Sequence, residues 1–263
     1  MVIKILKRKE LTMGKIKIYK DTIVYVLCPA YIKTGGPELL HQLVYKLNMI
    51  NIKAFVTYYG INEHDDNYTN DDFKKYVNDY KTIDDIIDDE KNVLITPESI
   101  KAIKNTKKFL KIRKAIWWLS VDNFLKGYKI INPLKKIGIT NFLKALLHNE
   151  ILFNFKVVKK MKYHLCQSYY AMDFLENKKI SNALYLSDYI NELYLNVKKE
   201  QIPVKEDNIL YNPKKGIKFT KKIINSAKSL NWIPIQNMTT EEVRQILLKS
   251  KVYIDFGNHP RKR

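Results

Sequence analysis

Six short, nearly continuous apolar runs recur through the first 190 residues, and stretches with helical spacing separate them. They are TIVYVLC (22–28), IKAFVTYY (52–59), NVLITP (92–97), KAIWWLSV (114–121), YHLCQS (163–168) and NALYLS (182–187). Runs of this length, rich in β-branched and aromatic residues, predict parallel strands covered on both faces. Helical stretches lie between them at 37–50, 98–107, 140–147 and 169–178. In the first of these, Leu39, Leu40, Leu43 and Leu47 recur at helical spacing, and Pro37 suits the opening turn. Alternation of this kind predicts an α/β fold built on a doubly wound parallel sheet.

A second series starts late. DNILYN (207–212), a helix over 216–229, NWIPIQ, a helix over 240–250 and KVYIDFG make another β-α-β-α-β run. The polar connection NVKKEQIPVKED (196–207) reads as the hinge between the two series. The organisation expected is a basic N-terminal extension (1–20), a first doubly wound domain (21–200) and a second one (201–263) in which only three strands fit. Thr239 followed by Glu242 reads as a helix capping box.

The net charge of +20 is unevenly spread, since Glu63 to Glu90 carries eleven acids against three lysines. The remainder is therefore more basic still, which suggests a surface facing nucleic acid, an acidic membrane leaflet or phosphorylated substrates. The abundance of Lys, Asn, Ile and Tyr is also what an AT-rich genome would select among tolerated surface residues. No helix-turn-helix, zinc-finger or RNP-like pattern accompanies the charge, which argues against nucleic acid as the partner. No apolar run reaches the roughly 18–20 residues a membrane span needs, and the N-terminus lacks the apolar core of a signal peptide. Cys28 and Cys166 sit in strand-like runs, as two reduced core thiols of a cytoplasmic protein would.

Gly35 and Gly36 are adjacent in a chain with eight glycines, between the first strand and the first helix. That turn lies at the carboxyl edge of a doubly wound sheet, where free N–H groups and the helix dipole favour an anion such as phosphate. A simple tight turn is the competing reading, and Lys33 either adds charge there or is a solvated loop residue. Pro213 to Gly216, PKKG, places Lys214 and Lys215 beside another helix N-terminus after the first strand of the second series. Ammonium groups and helix N–H groups together suit a diphosphate, although a lysine pair on a surface turn reads the same way. Asp122 follows WWLSV and could position a hydroxyl or act as a base, or it could cap a helix. Trp117 and Trp118 could stack on a sugar, but in a strand they face opposite sides and core packing is favoured. His41 reads as a surface or packing residue. His64, within NEHDDNYTNDD, reads as part of a solvated acidic loop more readily than of a metal site, because the glycine of an EF-hand loop is missing.

Taken in order, GGPELLHQL, AIWWLSVDNF, HLCQSYYAMDFL, YLSDYI, ILYNPKKG and YIDFGNHP resemble the bacterial GT-B glycosyltransferases of polysaccharide biosynthesis, relatives of the large retaining group that uses nucleotide-diphosphate sugars. The resemblance covers nearly all of residues 20–260. It implies a GT-B-like pair of Rossmann-like domains, with the acceptor held mainly by the first and the donor mainly by the second. It also implies that Gly35 and Gly36 approach the donor phosphates or sugar, and that Lys215 and, with it, Lys214 grip the diphosphate. Asn212 would join that donor site, at a position where these enzymes often have glycine, and the usual nearby arginine is absent. The substrates implied are a nucleotide sugar and a saccharide or lipid-linked acceptor, with no cofactor and no metal, at the inner face of the cell membrane. No D-x-D triplet occurs, which argues against the metal-dependent GT-A alternative.

The resemblance further implies that YIDFGNHP continues into something like GKDRIPREA and the rest of a second sheet, whereas this sequence reads HPRKR. Insertion of one A into CCA GGA AAA GAT AG gives CCA AGG AAA AGA TAG, which encodes that ending and a stop. The expectation is a truncated transferase. A noncatalytic remnant or partner subunit, and a basic nucleic-acid-binding protein, are the alternative functions.

Overall fold

The computed structural model describes residues 15–61, 68–131, 155–188, 190, 192–195, 197–214 and 216–256. The helix expected at 140–147, His64, Lys215, residues 1–14 of the basic extension and the HPRKR ending lie outside these residues. The chain divides into two compact units, the first ending at Asp188 and the second following directly. The division falls before the lysine-rich connection at 196–207.

The first unit is built on seven strands: β1 (Val24–Pro29), β2 (Ala54–Tyr59), β3 (Tyr80–Thr82), β4 (Val93–Pro97), β5 (Arg113–Trp118), β6 (Tyr163–Cys166) and β7 (Ala183–Tyr185). They pair in the order β3-β2-β1-β4-β5-β6-β7, every pair parallel. The register sets Val24 beside both Ala54 and Val93, and Ala115 beside Tyr163. Six of these strands are the six apolar runs. The seventh, β3, has three residues inside the acidic segment and pairs with β2 through Val56 and Tyr80. A three-residue edge strand carries too little apolar patterning to stand out from its surroundings.

Helix α1 (Gly35–Met49) follows β1, α2 (Ile100–Asn105) follows β4 and α3 (Val121–Ile131) follows β5. Short α4 (Lys156–Lys159) precedes β6, and α5 (Tyr169–Asn177) joins β6 to β7. Because parallel crossovers are right-handed, reversing the winding direction after β3 sends the later helices to the other face. The core divides accordingly. Val24, Val26 and Cys28 face Leu40 and Val44 of α1, whereas Tyr25 and Leu27 face Ala102 of α2. Ile116, Trp118 and Cys166 pack with Phe124 of α3 and Leu175 of α5. Burying both faces is what the continuous apolar runs required.

Both tryptophans are core residues. The Trp117 Nε1–H donates to the Leu186 carbonyl at 3.1 Å, and the Trp118 Nε1–H donates to His164 Nδ1 at 3.1 Å. Each buried indole N–H thereby finds an acceptor. His41 is buried as well: its Nδ1–H donates to the Pro37 carbonyl at 2.7 Å, so its Nε2 accepts from the Tyr58 hydroxyl at 2.7 Å. Burial pushes its pKa down, which keeps the ring neutral. Both thiols are free and buried, and burial raises the pKa of each, that of Cys166 to about 12.

The acidic segment does more than face solvent. Phe73 and Tyr76 are buried in a 3₁₀ turn, Asp71–Tyr76, and Tyr76 reaches α1 by accepting from Gln42 Nε2 at 3.1 Å. The Asp88 carboxylate accepts the amides of Leu110, Lys111 and Ile112 at 2.8–3.0 Å. Several of its acids therefore satisfy backbone donors that burial or turn geometry leaves without partners.

The second unit contains α6 (Glu192–Leu195), β8 (Glu206–Tyr211), α7 (Ile217–Ser226), β9 (Asn231–Pro234), α8 (Thr240–Lys249) and β10 (Ser250–Ile254). Its strands pair in parallel in the order β10-β8-β9. The capping box is formed: the Thr239 hydroxyl accepts the Glu242 amide at 3.2 Å, and the Glu242 carboxylate accepts the Thr239 amide at 2.6 Å. Arg244 Nε donates to the Leu193 carbonyl at 2.7 Å, tying α6 to α8. Among the described residues of this unit, Leu210 is the one buried apolar side chain, while Phe219, Leu230, Val252, Tyr253 and Phe256 are exposed.

Candidate functional site

In the first unit the winding reverses between β1 and β4, and a crevice outside the carboxyl ends of strands at such a reversal is where doubly wound sheets bind ligands. Gly35 and Gly36 stand at this edge as the first two residues of α1, which therefore opens two residues before Pro37. Thr34 precedes them in an extended conformation and makes no side-chain cap. The first N–H groups of a helix have no intrahelical acceptor, so the amides of Gly35 and Gly36 are available, and Pro37 contributes none. Neither glycine has a positive φ, and a Cβ at Gly35 would meet nothing within 4 Å. A Cβ at Gly36 would make an ordinary contact with Leu119 Cδ1 at 3.7 Å. The fold itself thus tolerates side chains here, and the pair leaves open space over the helix N-terminus. Lys33 does not add free charge, because its ammonium pairs with Asp72.

Glu98 lies immediately after β4 at the same edge and is 7% exposed. Its Oε2 accepts the Leu119 amide at 3.1 Å. Burial raises its pKa to about 7, and hydrogen bonds from its own amide and those of Leu119 and Ser120 hold the rise back. The carboxyl therefore ties the end of β4 to the loop that launches α3, and it titrates near neutrality. Sequence reading absorbed Glu98 into a helical stretch. The available signal was an acid placed directly after an apolar strand run, NVLITPE, next to the central strand of the sheet.

Asp122 lies in the first turn of α3, where Ser120 supplies the cap by accepting the Asn123 amide at 3.2 Å. Its Oδ1 accepts the Tyr170 hydroxyl at 3.0 Å. Farther along the edge, Gln167 Nε2 donates to Asp188, whose pKa is raised by burial with that hydrogen bond opposing. Gln167 Oε1 is buried without a partner among the described residues.

In the second unit the reversal lies between β8 and β10. Asn212 follows β8: its amide donates to the Ile254 carbonyl at 3.4 Å, and its Oδ1 accepts the Lys214 amide at 3.0 Å. Its Nδ2 lies 3.5 Å from Asp255 Oδ2, which also accepts the Tyr253 hydroxyl at 3.1 Å. Asn212 thus shapes the turn that carries Lys214, an exposed residue. Gly216 caps α7 with φ of 61° and offers no side chain to its first amides. A Cβ there would stand 2.6 Å from the Phe256 carbonyl oxygen. Close approach of β10's end therefore demands glycine at this position. Asp255 and Tyr253 were not singled out from sequence, because only the pairing of β10 with β8 brings them to Asn212.

Among the described residues, no group of three or more His, Cys, Asp and Glu side chains is placed to hold a metal ion, and no helix is long and apolar enough to cross a membrane. No protein-family model matches the chain, and no curated protein matches it in sequence. Among solved structures it is similar to a glycosyltransferase from Rickettsia africae ESF-5, at 12% identity and a TM-score of 0.48, over 91% of this chain and 74% of that one.

Proposed function

We propose that this chain is a glycosyltransferase of the GT-B type, moving a sugar from a nucleotide-diphosphate donor to a saccharide or lipid-linked saccharide in surface polysaccharide synthesis. The observation that carries the reading is that one chain holds two parallel α/β sheets, each with an uncapped, glycine-marked helix N-terminus at the point where its winding reverses. Such termini suit anions, and a nucleotide sugar presents a diphosphate that departs with an added charge.

In this reading Lys214, on the turn shaped by Asn212, and Lys215 neutralise the leaving diphosphate together with the first amides of α7. The Gly35 and Gly36 amides bind a donor phosphate or sugar oxygen. The bond from the sugar's anomeric carbon to the diphosphate breaks, and its electron pair leaves with the nucleotide. An acceptor oxygen forms the new bond to that carbon, and its proton passes to a base, the role assigned to Asp122. Glu98 acts through backbone, fixing Leu119 and Ser120 and hence the start of α3. The protein would work in the cytoplasm against the inner membrane face, where lipid-linked acceptors are presented.

Titration with UDP and GDP, followed by release of nucleotide from UDP- and GDP-sugars, tests this. Saturable binding that weakens in Lys214→Ala, together with acceptor-dependent release, is expected. Binding without release would make the chain a noncatalytic donor-binding subunit, and no binding of either nucleotide would remove the proposal.

A further inference from the structure

On the edge of the first sheet opposite the crevice, where β1, β4, β5 and β6 begin, lies a cleft of about 590 Å³. Lys111, Lys114, Lys160 and Lys162 line it, along with the Tyr19 ring and Leu110. Lys91 and Arg113 complete a set of six cations against one lining acid, Glu90.

These cations are not equivalent. The Arg113 guanidinium is committed to structure, since it donates to the carbonyls of Lys17, Lys91 and Asn92. Lys91 pairs with Asp21 at 2.8 Å. Lys114 donates to the Phe109 carbonyl, and burial lowers its pKa with nearby Asp88 opposing. Asp88 is in turn occupied by three backbone amides. Lys111, Lys160 and Lys162 differ from these: among the described residues none has a carboxylate within ion-pair distance. Three uncompensated ammonium groups therefore gather around a concave site beside a fourth that is partly desolvated. Like charges held together repel unless an anion joins them. Leu110, 87% exposed, projects at the same cleft and gives it an apolar rim.

We infer that this cleft is a second anion-binding site, at the opposite edge of the first sheet from Gly35 and Gly36, that takes a phosphate group carried either by a soluble diphosphate or by a lipid headgroup. Phosphate fits because its several oxygens and multiple negative charge can engage three or four ammonium groups at once, whereas one carboxylate cannot. The exposed leucine beside the lysines is the arrangement that lets a surface meet headgroups and the apolar layer below them.

The test uses the full chain in a Lys214→Ala background, which weakens the proposed donor site, so that the comparison between the two triple variants reports on this cleft. Inorganic pyrophosphate is titrated by calorimetry, and vesicles of phosphatidylglycerol with phosphatidylcholine are compared with phosphatidylcholine alone in flotation. Lys111→Glu, Lys160→Glu and Lys162→Glu together should weaken binding about tenfold or more. The same change of net charge elsewhere on the first unit, Lys75→Glu, Lys101→Glu and Lys126→Glu, should leave it nearly intact. Loss of pyrophosphate binding in the first triple variant identifies a soluble phosphate ligand; loss confined to the anionic vesicles identifies a lipid headgroup. Equal loss in both triple variants, or absence of binding to both probes, overturns the inference. Because sugar transfer is read out separately, failure here leaves the proposed activity standing, and the converse holds.

Discussion

The Leu119 amide donates to the Glu98 carboxyl at 3.1 Å, joining the ends of β4 and β5 beside the point, between β1 and β4, where the first sheet reverses its winding. The same leucine is the neighbour that a side chain at Gly36 would touch. One buried carboxyl therefore sets the loop that stands against the N-terminus of α1.

The Glu98 pKa is raised from 4.5 to about 7. A raised folded pKa means that the folded state binds the proton more tightly than the unfolded state. The associated stability is complete below pH 4.5 and is lost as pH rises toward 7. The size is about 3 kcal/mol at most. Glu98→Gln should remove this decline, so that urea midpoints of wild type and variant diverge progressively between pH 4.5 and 7. Parallel profiles would falsify the assignment.

His164 behaves in the opposite sense. It is fully buried, its Nδ1 accepts from Trp118, its Nε2 has no partner among the described residues, and burial lowers its pKa from 6.5 to about 4. Here the unfolded state binds the proton more tightly, so stability is lost as pH falls from 6.5 toward 4, by about 3 kcal/mol at most. His164→Gln keeps an acceptor for the indole and should flatten that acid limb. Because the two groups oppose each other over overlapping windows, each single variant should uncover the other's slope. A double variant that is no flatter than either single one would contradict the pair of assignments.

Gly216→Ala places a Cβ 2.6 Å from the Phe256 carbonyl at a φ of 61°. The left-handed conformation alone costs a side-chain-bearing residue about 1–2 kcal/mol, and the overlap adds to it. Amide hydrogen exchange in β8 and β10 should accelerate strongly while β1 and β4 stay protected. Unchanged exchange in β8 and β10 would mean that the close approach is not maintained in solution.

Asp122 and Tyr170 form a carboxylate–phenol pair at the carboxyl edge of the first sheet. If Asp122 takes the acceptor's proton, Asp122→Asn should lower kcat for transfer by about 10²- to 10⁴-fold with donor affinity kept. Tyr170→Phe, which leaves the carboxylate but removes its partner, should have a smaller effect and shift the pH profile of kcat. Equal rates for wild type and Asp122→Asn would assign the aspartate to helix-end chemistry alone.

Sequence by itself determined the pieces. Continuous apolar runs marked six of the seven strands of the first unit because a strand buried on both faces must be apolar nearly throughout, a strictly local requirement, and shorter apolar runs between turn and helix signals marked the three strands of the second. The leucine spacing of α1 and the capping box of α8 were legible for the same reason, since each is settled within a few residues. Gly35, Gly36, Asn212 and Lys214 could be placed at strand ends from their position after such runs. Tertiary structure alone decided which strands became neighbours, because parallel pairing joins segments tens of residues apart and leaves no local trace. That pairing order put the reversal points beside Glu98 and Asp255, made β3 an edge strand, and set Gly216 against Phe256. It also gathered Lys111, Lys160 and Lys162, which are ordinary lysines in the sequence and share a cleft only because β5 and β6 lie side by side.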